Sequence, residues 1–581
     1  MIIDRINGPE DVKKLNSTEL VELASDIREG LFNRLTKHGG HFGPNFGFVE
    51  GTIALHYVFD SPWDKFVFDV SHQCYPHKML TGRKHGFFDE SRFDEVTGYM
   101  NPDEGPHDFF KIGHTSTSLS LACGLAKARD LKGDKENIIA VIGDGSLSGG
   151  EALEGLDFAG EQNTNLIIVV NDNQMSIAEN HGGLYKNLAA LRESNGTCKE
   201  NLFRAMGLDY YYEAEGNNVE KLIEVFKKVK DIDHPVVVHI NTLKGCGYKV
   251  AEENKEIWHW TNPFNRATGE RPSGKGENYW PMTAEFMLKK MAADPKVAMI
   301  CPAVPGNFGF TKPNREKAGR QFIDVGIAEE HGIAMASAMA KNGAKPVFGT
   351  HSSFIQRTFD QLSQDLCINK NPATILVNTA SIYGMRDITH LGIFDIPLMS
   401  NIPNLVYLAP TNCEEYFAML DWSIEQNQYP VAVRMPCNGV IHTQLPVEKD
   451  YSKLNKSLVT QQGSGIAIFA LGDFFQLGEK AADFIEQKSG KKPTLINPRY
   501  ITGLDVELLE SLKKNHSKVI TLEDGIIEGG YGQKIASFYG PDGGIQVFNY
   551  GFKKEFLDLY EVSDVLKENR LTPEQIAEDV L

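Results

Sequence analysis

The chain of 581 residues contains no run of about 18 consecutive apolar residues, so no segment reads as a membrane span. Its opening, Met1-Ile2-Ile3-Asp4-Arg5, lacks the apolar core of a secretory signal, and a cytoplasmic location is the expectation. Cysteine is sparse. The eight residues (Cys74, Cys123, Cys198, Cys246, Cys301, Cys367, Cys413 and Cys437) are scattered without a Cys-x-x-Cys pair. That excludes a disulfide framework or a zinc ribbon and leaves reduced thiols. Cations are in deficit, 59 Lys and Arg against 77 Asp and Glu, and the net charge of −18 is evenly spread. Without a basic stripe, nucleic acid is not expected as a partner. No short repeat or low-complexity tract appears, which excludes solenoids and long linkers. What remains is a chain long enough for roughly three or four ordinary domains.

The densest signal runs from residue 143 to 175. Ile138-Ile139-Ala140-Val141-Ile142 and Leu166-Ile167-Ile168-Val169-Val170 read as buried parallel strands, with Ser148 to Gly160 as the crossover helix between them. Asp144 and Asn173 then fall at the carboxyl edge of one sheet, where open α/β sheets bind ligands. Gly143 and Gly145 allow backbone to approach a bulky anion. Asp144 and Asn173 offer hard oxygen ligands for a divalent cation bridging phosphates. A magnesium–diphosphate anchor follows from that chemistry.

Before this unit, Asn16 and Glu19 form a capping box opening an amphipathic helix to about Leu35. The glycine-rich loop Gly39 to Asn45 interrupts it, and a helix follows from Val49 to Tyr57. A strand, Phe66 to Val70, ends in Ser71-His72-Gln73, and Gly113-His114-Thr115-Ser116 turns into a helix from Leu119 to Ala128. His41, His72 and His114 therefore stand at junctions feeding the edge that carries Asp144. A polar loop from Ser176 to Gly183 is followed by helical stretches to about Val229, and a strand from Pro235 to Ile240 then leads to Lys244, placed to face an anion. Glu252 to Trp280, polar and containing Trp258-His259-Trp260, reads as a linker.

A second α/β block, about 281–440, has strands at Val297–Cys301, Phe322–Val325, Pro346–Gly349, Thr374–Val377, Leu405–Leu408 and Val431–Arg434. Glu329 lies at a strand end leading into a helix, and His351-Ser352-Ser353-Phe354-Ile355-Gln356-Arg357 follows the next strand. A third block from about Lys453 has strands at Gly465–Leu471, Pro493–Asn497, Val519–Leu522 and Ile545–Phe548. It reads as a smaller α/β domain for packing and dimerisation.

These residues, in order, resemble the transketolase-like thiamine diphosphate enzymes and, within them, the 1-deoxy-D-xylulose-5-phosphate synthases. The likeness is carried by Gly40-His41, Asp69-Val70-Ser71-His72-Gln73, Tyr75-Pro76-His77-Lys78, Gly113-His114, Gly143-Asp144-Gly145, Asn171-Asp172-Asn173, Met175-Ser176-Ile177, Lys244-Gly245, Ile327-Ala328-Glu329, Phe354 with Gln356-Arg357, Thr389-His390 and Val433-Arg434. It implies an α/β, three-domain transketolase-like fold and a homodimer. Two parallel-sheet thiamine diphosphate-binding domains would span 1–275 and 281–445, with a smaller C-terminal α/β domain at 453–581.

By the resemblance, Asp144, Asn173 and the Met175 carbonyl would hold Mg2+. His72, Gly113, His114, Thr115, Ser116, Gly143, Gly145, Ser146, Lys244 and Phe354 would meet the cofactor. Glu329, neutral and desolvated, would favour the imino tautomer of the aminopyrimidine. His41, His72 and His390 would serve catalysis, and His351, Arg357, Arg386, His390 and Arg434 the substrates. The implied reaction is decarboxylation of pyruvate and condensation with glyceraldehyde 3-phosphate. Ketol transfer without decarboxylation, transfer to a lipoyl partner, and a scaffold that has lost catalysis are the competing readings.

Three departures fall on the acceptor side. Asn378-Thr379-Ala380-Ser381 stands for the family's Asp-Arg-Ala-Gly, Arg386-Asp387 shifts an acidic group by one position, and His351 replaces a tyrosine. The stretch from Asn180 to Val236 is also shorter than in typical members. Arg386 is expected to supply the anion-binding group that Thr379 lacks.

Overall fold

The computed structural model describes residues 1–272, 274, 276–541 and 543–581. It divides into two compact units, Met1–Lys275 with Gly326–Ala328, and Gly276–Val325 with Glu329–Leu581. Among the described residues no helix is long and apolar enough to cross a membrane.

The first unit is built on a five-stranded parallel sheet: β1 (Lys65–Phe68), β2 (Ile138–Gly143), β3 (Leu166–Asp172), β4 (Asp209–Glu213) and β5 (Pro235–Asn241), in spatial order β1-β2-β3-β5-β4. The central strands carry unbroken apolar runs, Ile138–Ile142 and Leu166–Val170, because both faces are covered. Along β3, Ile167 and Val169 enter one core while Ile168 and Val170 enter the other. The first core takes the helix Ser17–His38, whose Asn16 cap closes the expected capping box with Glu19. The crossover begins with a tight turn, Gly145–Ser148, before the helix Gly150–Gly160.

The second unit holds two sheets. One is parallel: β6 (Val297–Cys301), β7 (Phe322–Asp324), β8 (Lys345–His351), β9 (Thr374–Asn378), β10 (Val406–Leu408) and β11 (Val431–Arg434), ordered β10-β11-β9-β8-β6-β7. The other comprises β12 (Leu458–Gln461), β13 (Gly465–Ala470), β14 (Thr494–Asn497), β15 (His516–Ile526) and β16 (Gln546–Phe552), ordered β12-β14-β13-β15-β16, with β12 antiparallel at the edge.

Three sequence expectations need correction. The strand at Phe66 stops at Phe68, because Val70 (φ 57°) and Ser71 (φ 63°) leave extended backbone. The stretch from 184 to 229 is not all helical, since β4 interrupts it. Glu252 to Trp280 is no simple linker. Trp258 is 2% exposed, packed against Phe42 and Phe264, and Trp260–Thr261 pairs antiparallel with Gly40–His41.

Candidate active site

In the first unit the turn after β2 and the end of β3 face each other. Asn173 N–H donates to Asp144 Oδ1 at 3.4 Å, and Asn180 Nδ2 donates to Oδ2 at 2.6 Å. Met175 N–H donates to Asn173 Oδ1 at 3.2 Å, so this turn orients Asn173. Asp144 is buried, and burial, with Asp172 adding to it, pushes its carboxyl up to about 7. Lys244 is equally buried, which pulls its ammonium down to about 7. Its Nζ donates to the Ser176 carbonyl at 2.5 Å. Behind them, Asp172 accepts from Arg192 and from His239 Nε2 at 2.9 Å, and these hold it ionised against its burial.

The two glycines differ. A Cβ on Gly145 would lie 2.8 Å from the Ser176 Cβ, so protein packing requires that glycine, whereas a Cβ on Gly143 would meet nothing within 4 Å. Gly143 therefore borders open space at the strand end. Asp69 anchors the next turn, accepting from Ser116 N–H (2.8 Å) and Ser118 N–H (3.0 Å), and Ser116 Oγ donates to the Ser146 carbonyl at 2.8 Å. Thr115 and His114 are half-buried beside it and Gly113 is buried.

His41 and His72 are brought together, ring centroids 5.1 Å apart. A third imidazole completes a triangle: His259 lies 5.6 Å from His41 and 5.3 Å from His72. Burial drives its pKa well down, and its Nδ1 is buried without a hydrogen-bond partner among the described residues. Sequence reasoning passed over His259 as part of a linker. The signal available was an aromatic-flanked histidine in an otherwise polar stretch.

In the second unit Glu329 opens the helix Glu329–Lys341 and is 3% exposed. Its Oε2 has no hydrogen-bond partner among the described residues and lies 4.0 Å from Arg357 Nη1. Burial pushes the carboxyl up to about 7, Arg357 working against it. His351, the last residue of β8, bonds through Nδ1 to Thr379 Oγ1 at 2.5 Å. Phe354 lies 5.0 Å from the His351 ring and 5.4 Å from that of His390. His390 Nδ1 is 3.0 Å from Asp387 Oδ1.

The two outer arginines stand in different surroundings. Arg434 is buried with its guanidinium taken up by Asp395 (2.8 Å) and Asp524 (2.5 Å), so it serves as a strut between β11 and β15. Arg386 is half-exposed and 3.6 Å from Glu561. Elsewhere in this unit Cys413, Glu414 and His442 bring ligand atoms within 4.8 Å of one another. There His442 Nδ1 already bonds Glu414 at 2.6 Å, a hydrogen-bonded clamp rather than a preformed ligand shell.

Six of the fifteen positive-φ residues other than glycine among the described residues lie at these turns. Val70, Ser71, Ser116, Gln174, Thr379 and Ser381 all have positive φ without being glycine, and they flank or belong to the turns described above. Such conformations persist where the surroundings over-determine them, as at ligand sites.

The chain's segments match family models along its length: 1-deoxy-D-xylulose-5-phosphate synthase at residues 3–200 and 194–242, the transketolase pyrimidine binding domain at 278–440, and the transketolase C-terminal domain at 455–576. Fold and site therefore define a transketolase-like α/β enzyme. Curated 1-deoxy-D-xylulose-5-phosphate synthases are similar over the whole chain. That of Clostridium beijerinckii is 37% identical over 617 aligned positions, covering 100% of this chain and 99% of the relative. That of Carboxydothermus hydrogenoformans is 36% identical over 613, covering 99% and 98%. The chain belongs to the 1-deoxy-D-xylulose-5-phosphate synthase family.

Proposed function

We propose that this chain condenses pyruvate with D-glyceraldehyde 3-phosphate, with loss of carbon dioxide, to give 1-deoxy-D-xylulose 5-phosphate. The observation that carries the reading is whole-chain similarity to curated synthases. Thiamine diphosphate and Mg2+ are the proposed cofactors, and the residues present fit them. Glu329 Oε2 is a buried carboxyl atom lacking a hydrogen-bond partner among the described residues, Gly143 borders open space, and Asp144 with Asn173 is an oxygen-donor pair. Asp144, Asn173 and the Met175 carbonyl would hold the metal. His72, Gly113, His114, Thr115, Ser116, Gly143, Gly145, Ser146 and Lys244 would meet the diphosphate side, and Phe354 and Glu329 the pyrimidine. When bound, the cofactor supplies the nucleophilic carbon and the electron sink. Glu329 holds a proton at the pyrimidine, while His41, His72, His259 and His390 orient the reacting carbonyls and move their protons.

The proposed organisation is three domains, 1–275, 281–445 and 453–581, in a cytoplasmic homodimer. Carbon dioxide release from pyruvate by protein loaded with thiamine diphosphate and Mg2+, with and without glyceraldehyde 3-phosphate, tests the reaction. Release with formation of the deoxypentulose phosphate is expected. Loaded protein that releases none sinks the reading and leaves ketol transfer.

Two substitutions, one in each unit, probe the proposed roles. With Arg434 engaged by carboxylates and Thr379 uncharged, the acceptor phosphate depends on Arg357 and Arg386. Arg386→Ala is expected to raise the acceptor KM about tenfold, the scale of one exposed charge-assisted contact, with the pyruvate KM unchanged. An unchanged acceptor KM removes Arg386 from the site. His259→Phe keeps ring bulk and deletes both nitrogens. Turnover should fall at least about tenfold with Tm little altered, and a variant as active as the parent would make His259 a packing residue.

A further inference from the structure

Beneath the His41–His72 pair lies a side chain that bonds the backbone of both without facing the reacting groups. Asn45 sits in the short helix Gly43–Gly47 and is 0% exposed. Its Nδ2 donates to the His41 carbonyl at 2.7 Å and to the His72 carbonyl at 2.8 Å, and its Oδ1 accepts the Tyr75 N–H at 2.9 Å. Both amide hydrogens and the oxygen are thus engaged, and the reversed amide would set an oxygen against two carbonyl oxygens. The His72 segment is not held by regular structure, and the His41 segment only by the two-residue pairing of Gly40–His41 with Trp260–Thr261. His72 follows two positive-φ residues, Val70 and Ser71, and His41 follows Gly40 at φ 131°. Ser71 secures the outer side of the turn, donating to the Ile112 carbonyl at 2.6 Å and accepting from Met100 N–H at 2.9 Å. On the inner side, Asn45 joins the two histidine backbones to each other and to the helix that starts at Tyr75.

We propose that Asn45 is a positioning residue: its amide fixes the separation and orientation of His41 and His72, and turnover depends on that bridge. A buried asparagine serving only the core would have its partners anywhere on the surrounding backbone. Here its two donors go to the two histidines, whose rings lie 5.1 Å apart. Misplacement of catalytic groups by about 1 Å is enough to cost roughly 10²-fold.

The inference rests on the proposed roles of His41 and His72, and the test separates the two claims. Holoenzyme carrying Asn45→Ala or Asn45→Asp is compared with the parent for carbon dioxide release from pyruvate. Asn45→Ala is expected to lower kcat by roughly 10- to 100-fold with the pyruvate KM within about threefold. In Asn45→Asp the introduced carboxyl, buried against two carbonyl oxygens, stays protonated at low pH and then restores one donor. Its activity relative to the parent should therefore rise as pH falls. A lowered Tm with unchanged kcat and pH profile in the folded enzyme would overturn the proposal. Independently of turnover, spectra of protein labelled at histidine 13Cε1, assigned through His41→Gln and His72→Gln, should show both resonances displaced by Asn45→Ala. Unmoved resonances overturn the bridge. A parent enzyme that releases no carbon dioxide overturns the reaction instead, and the spectra then decide the role of Asn45.

Discussion

Glu329→Gln is expected to lower turnover by about 10³-fold while thiamine diphosphate affinity stays within about threefold. The reason is local. Glu329 is 3% exposed and its Oε2 lacks a hydrogen-bond partner among the described residues, so the carboxyl waits for a polar group. Gln preserves volume and can still donate a hydrogen bond, so binding survives. It cannot give up or regain a proton, so any step needing tautomerisation fails. The same burial predicts a pH signature in the unliganded protein. The folded carboxyl, pushed up to about 7, binds its proton more tightly than the unfolded chain, whose glutamate titrates near the ordinary value of 4.5. Between those values the native state holds more protons, so this contribution to stability falls as pH rises and levels off above about 7. Glu329→Gln removes that slope. The variant should match the parent near pH 4.5 and exceed its Tm at pH 8. The gain is bounded by about 1.4 kcal/mol for each pH unit separating the folded and unfolded carboxyl. A flat difference across that range would mean that Glu329 is not buried as described, and full activity in the variant would end its assignment as activator.

The strands were readable because burial on both faces leaves unbroken apolar runs. Residues 138–142 and 166–170 are fully buried, and the turns that carry the candidate site residues follow from where those runs stop. The edge strands β4 and β12 were not readable. Asp209–Glu213 and Leu458–Gln461 are half-exposed, and their residues carry no unbroken apolar signal. Turn conformation was also beyond reach: no pattern in Val70-Ser71 announces two consecutive positive φ angles in residues other than glycine. Around the candidate site, which residues stand at strand ends was legible, while contacts between distant positions were not. The carboxylates of Asp395 and Asp524 that engage Arg434 lie 39 and 90 positions away, and no local pattern announces them. His259 becomes part of the histidine triangle only through the pairing of Trp260 with His41, 219 positions apart (260 minus 41).

Asp144→Asn should separate metal capture from everything else the first unit does. The side chain is held before any ion arrives, by Asn180 Nδ2 on one oxygen and Asn173 N–H on the other. An amide of the same shape can keep one of these bonds but must face one donor with its own NH2. The larger loss is charge. Asp144 is the only acidic member of the proposed metal set, Asn173 and the Met175 carbonyl being neutral, and hard divalent cations depend on carboxylate oxygen. The half-saturating Mg2+ concentration should rise by about 100-fold or more, with thiamine diphosphate retention falling in step, since the metal held by Asp144 would help retain the diphosphate. Stripping the parent enzyme with a chelator should reproduce the defect, and Mg2+ should reverse it in the parent alone. Half-saturation unchanged in Asp144→Asn would place the metal elsewhere. Paired with Glu329→Gln, the result is diagnostic: one variant should bind cofactor and not turn over, the other should fail to hold it. If both lost binding equally, Glu329 would be a cofactor anchor rather than a proton-handling group.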